Sequence, residues 1–152
     1  MKRIATIAVA LICIIAMSAC SNNSAKKVDL AKAMQDINTE CNITTTKDLT
    51  AEELTSYYLI EESDVTSFSA EIDIKGITEI VLIEAKDEQA SKKVADLLEK
   101  RLTSKTNEAA SYEPELLEII KNTEVTTNNN YVSMIICEDT DKAKKIYDKA
   151  FE

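Results

Sequence analysis

The sequence predicts an α+β fold: a four-stranded, mainly antiparallel sheet with helices packed on one face. Three observations lead there. Apolar residues recur at steps of three and four in several separate stretches, the period drops to two between Val65 and Ile74, and a second short apolar run, Tyr131 to Cys137, follows three consecutive asparagines. Each strand pair is followed by a helical stretch, so two hairpins side by side make one sheet whose other face stays partly wet.

The elements follow in order. From Val28 to Cys41, the residues Leu30, Ala33, Met34, Ile37 and Cys41 share one helical face, Asp29 caps its start, and Asn42 suits the position after the last turn. Thr50-Ala51-Glu52-Glu53 has the spacing of a capping box and opens a short helix carrying Leu54, Tyr57 and Tyr58. Phe68, Ala70, Ile72 and Ile74 then alternate with Ser67, Ser69, Glu71 and Asp73, a strand with one side toward a core and the other toward water. Lys75-Gly76 supplies a turn into a second strand, Ile77 to Ala85.

Asp87 opens the longest helix, with Ala90, Val94, Leu97, Leu98, Arg101 and Leu102 on or near its buried stripe, running to about Asn107. Pro114 marks a new helical start, since its missing N–H has no partner to lose in a first turn, and Leu116, Leu117, Ile119 and Ile120 make that helix apolar enough to be buried. Glu124 to Thr127 and Tyr131 to Cys137 pair about Asn128-Asn129-Asn130, where Asn tolerates positive φ. Asp139 or Thr140 caps a last helix bearing Ala143, Ile146, Tyr147, Ala150 and Phe151. The order is α-α-β-β-α-α-β-β-α.

Composition excludes much chemistry. The 152 residues include one Gly, one Pro and no His. No Gly-rich loop can cradle a phosphate, and Ser-His-Asp triads, Cys-His pairs and His-ligated zinc are all impossible. Lys plus Arg number 18 against 27 Asp plus Glu, a formal charge of -9 that opposes nucleic-acid binding. It equally opposes adhesion to anionic lipid through a basic patch.

The N-terminus offers another route to a membrane. Lys2 and Arg3 precede an apolar run from Ile4 to Ala16, shorter than the ~20 residues a spanning helix needs, and Met17-Ser18-Ala19-Cys20 resembles the lipobox of bacterial lipoproteins. Cys20 is the expected lipidation site, because its thiol can take a diacylglyceryl group before the preceding peptide bond is cut; two or more acyl chains anchor stably where one does not. The expected organisation is a signal peptide over 1–19, a lipidated tether over 20–27 and a single α+β domain over 28–152, held at the outer face of the cell membrane.

With Cys13 in the leader and Cys20 lipidated, Cys41 and Cys137 remain. Both read as small buried hydrophobes with free thiols, a disulfide being the alternative that export permits. Glu71 and Asp73 point the same way on one strand and are read as a solvated face, not an acid pair. Glu138-Asp139-Thr140-Asp141 lacks the glycine turn and distant Glu of an EF-hand and is read as a helix start favoured by the dipole. Tyr57 and Tyr58 are the candidate recognition residues, because Tyr combines apolar area with a polar tip. No catalytic residue, metal ligand or cofactor is assigned.

Several strings carry a family likeness: Glu84-Ala85-Lys86-Asp87, Ser111-Tyr112-Glu113-Pro114-Glu115, Asn130-Tyr131-Val132 and Ala143-Lys144-Lys145-Ile146. With them the chain resembles an uncharacterised group of secreted lipoproteins of clostridia and related Gram-positive bacteria that carry a domain of unknown function of the DUF4358 type, over roughly Leu30 to Phe151. The resemblance implies a lipoprotein with a single α+β domain and brings no established activity or catalytic residue. The expected function is noncatalytic binding or scaffolding of an envelope protein or glycan partner, through an open sheet face or the Tyr57/Tyr58 region. The alternatives are an accessory factor, catalytic or noncatalytic, in cell-envelope polymer modification such as O-acylation, which the resemblance suggests, and a small solute-binding component.

Overall fold

The computed structural model describes residues 27–152, in which five helices flank one antiparallel sheet. The chain runs α1 (Leu30–Glu40), β1 (Lys47–Asp48), α2 (Ala51–Tyr58), a 3-10 turn (Glu62–Asp64), β2 (Val65–Ile72), β3 (Glu79–Ala85), α3 (Glu88–Tyr112), α4 (Pro114–Lys121), β4 (Val125–Asn128), β5 (Tyr131–Ile136) and α5 (Thr140–Lys149). The sheet order is β1-β2-β3-β5-β4, so the two hairpins meet along β3 and β5.

Local signals set most boundaries. Asp29, Asp87 and Asp139 each accept from the backbone N–H three residues on and cap α1, α3 and α5. At α2 both halves of the capping box are made: Thr50 Oγ1 accepts from Glu53 N–H, and the Glu53 carboxylate accepts from Thr50 N–H. Asn42 and Asn129 adopt the left-handed backbone (φ 55° and 53°) that ends α1 and turns the second hairpin. The first hairpin turns on Asp73, whose Oδ1 accepts from Lys75 and Gly76 N–H; a Cβ on Gly76 would come within 2.6 Å of that carboxylate.

Three expectations about the architecture are corrected. The sheet has five strands, because Lys47–Asp48 pairs with Ile72 and Glu71 in a segment too short to show a period. α3 runs to Tyr112, five residues beyond the expected end, with nothing between Asn107 and Pro114 to stop a helix sooner.

Thirdly, helices cover both faces of the sheet. On one side α2, α3 and α4 pack Leu54, Tyr58, Val94, Leu98 and Ile120 onto Ala70, Ile72, Val81, Ile83, Val132, Met134 and Ile136. On the other, α1 and α5 pack Met34, Ile37, Ala143 and Ile146 onto Ile80, Leu82, Ile135 and Cys137. The single-face expectation treats the two β-β-α halves as equivalent. A two-fold relating antiparallel neighbours would keep both following helices on one face, yet α3 and α5 land on opposite faces, so no such symmetry holds. The exits differ in length, two residues between β3 and α3 against three between β5 and α5.

This second helical layer also overturns the reading of Glu71 as part of a solvated face, while Asp73 stays partly exposed at the end of the strand. Glu71 is only 7% exposed and accepts from Asn38 of α1 (2.8 and 2.9 Å) and from Thr46 (2.6 Å). Asp73 accepts from Thr45. Both acids fasten the loop between α1 and β1 to the sheet, Glu71 from a buried position and Asp73 from a partly exposed one.

Candidate functional site

Among the described residues, the one fully buried charge lies under α3. Val94 and Leu98 lie on the face of α3 that meets the sheet, and one further turn along that stripe come Arg101 and Lys105, four residues apart and so on one side of the helix. The first residue of β3 is Glu79, whose side chain shares a face with Val81 and Ile83 and points at the same helix. Its side chain is fully buried. Arg101 donates Nε to Oε1 at 2.8 Å and Nη2 to Oε2 at 2.9 Å, and Lys105 donates Nζ to Oε2 at 2.7 Å.

Burial is the largest single influence on the Glu79 carboxyl and acts to raise its pKa. The hydrogen bond from Arg101, then the charge and hydrogen bond of Lys105, together outweigh it and hold the group below its usual range. Arg101 lies over the ring of Tyr58, 5.8 Å from its centroid, and is itself pushed toward permanent charge by its bond to Glu79. Tyr58 is raised strongly, first by burial and then by the Glu79 charge, so it stays neutral. Its hydroxyl is one of three buried side-chain polar atoms without a hydrogen-bond partner among the described residues.

Arg101 and Lys105 are not sealed in. Their side chains remain 25% and 16% exposed, and both line a groove of about 360 Å³ between the β2–β3 turn, the end of α2 and the α3–α4 corner. That volume is at the small end of the range for small-molecule pockets, ~300–1,000 Å³. Ile72, Ile77, Ala109, Leu116 and Ile120 supply apolar wall. Tyr57 and Ile74, both with large exposed apolar surface, stand at the lining as well, and so do the exposed acids Glu108 and Glu113 of the corner. The turn that shapes one wall is braced, since Asp73 holds two backbone N–H groups and the Thr45 hydroxyl.

In chemical terms, one carboxylate holds two cations. Arg101 uses two of the five N–H groups of a guanidinium on Glu79 and Lys105 one of its three, which leaves donors and a net positive charge at a partly desolvated surface. Such a floor suits an anion, and the aromatic and aliphatic rim suits an apolar group attached to it.

The sequence-derived candidates are distributed as follows. Tyr57 lines this groove, whereas Tyr58 is 2% exposed and lies beneath Arg101, so of the pair only Tyr57 offers a surface. Cys20 and the leader lie outside the described residues. Cys41 and Cys137 are free thiols in the layer under α1 and α5. Burial raises the first and pushes the second up to about 11, which keeps both protonated. Asp139 caps α5, as the dipole reading of its acidic run requires. Glu79 and Lys105 were not singled out from the sequence. Their signal was a lone acid opening the Ile80–Ile83 run and two cations continuing the Val94, Leu98 stripe.

A family model described as a domain of unknown function (DUF4358) matches residues 39–137. No curated protein and no solved structure matches the chain.

Proposed function

The chain belongs to the DUF4358 family, a domain of unknown function, and from that premise we propose that it is a noncatalytic binding domain, held at the outer face of the cell membrane by lipid on Cys20, that takes an envelope partner in the groove above Glu79. The single observation carrying this reading is the pairing of Arg101 and Lys105 on one buried carboxylate at the floor of a concavity rimmed by Tyr57 and Ile74. Every residue lining the groove falls inside the matched segment. With both sheet faces covered, the open-face version of the binding hypothesis is dropped.

A noncatalytic role is supported by what the residues can do. The chain has no His to serve as a base, Glu79 is fixed in its ionised form by two cations, and both described thiols are held protonated by burial. The Cys20 anchor rests on the lipobox and the short apolar leader.

The test is site-specific photo-crosslinking in intact cells, with the reactive residue at position 57 and, as a control, at the exposed position 35 of α1. A discrete adduct from 57 and none from 35 is expected. No adduct from 57, or equal adducts from both, contradicts the groove as the binding face.

A further inference from the structure

Resting on the groove reading, we infer that its ligand is a short peptide with free ends, whose C-terminal carboxylate sits on Arg101 and Lys105 and whose apolar side chain lies against Tyr57 and Ile74. Glu79 neutralises one of the two cations it binds, and the other positive charge stays at a surface only a sixth to a quarter exposed. A carboxylate is the anion matched to that floor: Arg101 and Lys105 already bind one, they have N–H groups to spare, and both side chains line the groove.

The rim carries both signs, with the exposed Lys75 on the β2–β3 turn and two acids on the α3–α4 corner. Glu108 and Glu113 flank the same concavity, and Glu108 is close enough to Arg101 to favour its charged form. The cationic floor and the two acids of the α3–α4 corner together favour a ligand that carries a positive end as well as a carboxylate, the ammonium lying toward Glu108 and Glu113 and away from Lys75. A volume of about 360 Å³ accommodates two or three residues of peptide, not a folded domain.

The probe is leucyl-leucine, compared by isothermal titration calorimetry with its C-terminal amide and its N-acetyl derivative on residues 28–152 and on the full chain. The free dipeptide is expected to bind with a millimolar or tighter constant, the amide at least tenfold more weakly, and the acetylated form several-fold more weakly. Lys105→Gln keeps the Arg101–Glu79 pair and should lower affinity for the free acid about tenfold, while leaving the weak affinity for the amide unchanged. Tyr57→Ala, on an exposed side chain, should weaken both forms alike. Equal affinity for acid and amide, no binding of the dipeptide at millimolar concentration, or an unaltered Lys105→Gln variant each overturns the inference. If position 57 still crosslinks a partner in cells, only the ligand class has failed; if it does not, the groove reading itself has.

Discussion

Arg101 of α3 grips Glu79 of β3 through two parallel hydrogen bonds, Nε to Oε1 and Nη2 to Oε2, at the point where helix and sheet would otherwise meet through apolar side chains alone. The geometry fixes the angle of the guanidinium in two directions at once, and Tyr58 beneath it fixes the third. Lys105 joins one turn later. This arrangement sets the groove floor, and it also sets how stability depends on pH.

Glu79→Gln should destabilise the domain by about 3–5 kcal/mol at neutral pH, because two partly buried cations lose their counter-charge. The wild-type carboxyl lies below its ordinary 4.5 in the folded state. Its contribution is therefore complete above that value and is lost as pH falls through the depressed folded value. Urea unfolding at several pH values from 7 down to 3 checks both points: the variant starts lower and shows a smaller loss across the acid range. Equal acid sensitivity in the two proteins would contradict the assignment.

Thr50→Ala should cost about 1 kcal/mol, since it removes one half of the box that starts α2 and leaves Glu53 N–H without its acceptor. Combining it with Glu53→Ala should cost less than the sum of the two single changes, because either one alone already breaks the reciprocal pair. Thermal unfolding of the three variants reads this directly.

Leu59 ends α2 in the left-handed conformation, φ 60°, with its side chain exposed. A branched apolar residue gains nothing there to offset the backbone strain. Leu59→Asn should raise stability by about 0.5–1 kcal/mol, measured as a higher urea midpoint with an unchanged slope.

How far the sequence carries follows from where information is local. Caps and turns depend on a few adjacent residues, and Asp29, Thr50, Asp87, Asp139 and the three-asparagine turn all act as their spacing implies. The second helical layer is a nonlocal fact. Its clearest trace is the unbroken Ile80-Val81-Leu82-Ile83 run, which reads as a strand with apolar contacts on both sides rather than an alternating one; all four residues are fully buried, and the Tyr131–Ile136 strand is buried on both faces too. Tyr57 and Tyr58 are legible together as recognition candidates, but which of the two is exposed is not, since that depends on how α2 packs. Glu79, Arg101 and Lys105 were not legible as a unit, because 22 to 26 residues separate the acid from its cations and only the packing of α3 on β3 brings them together.

The two thiols should differ in access, and burial holds both in the protonated form. Cys41 is partly exposed and Cys137 buried, with burial raising both and setting Cys137 at about 11. On residues 28–152 at pH 8, a thiol-disulfide reagent should label Cys41 slowly and Cys137 only after unfolding. Rapid labelling of Cys137 in the native protein would show that its layer is open.

The proposed role depends on where the domain is held. Mass spectrometry of the mature protein purified from its native membrane, beside a Cys20→Ala variant, examines that without intermediaries. The expected result is a chain beginning at Cys20 with a diacylglyceryl thioether on its sulfur, and release of the variant from the membrane fraction. A mature chain with no lipid on Cys20, or a Cys20→Ala variant that sediments with membrane as before, would contradict it.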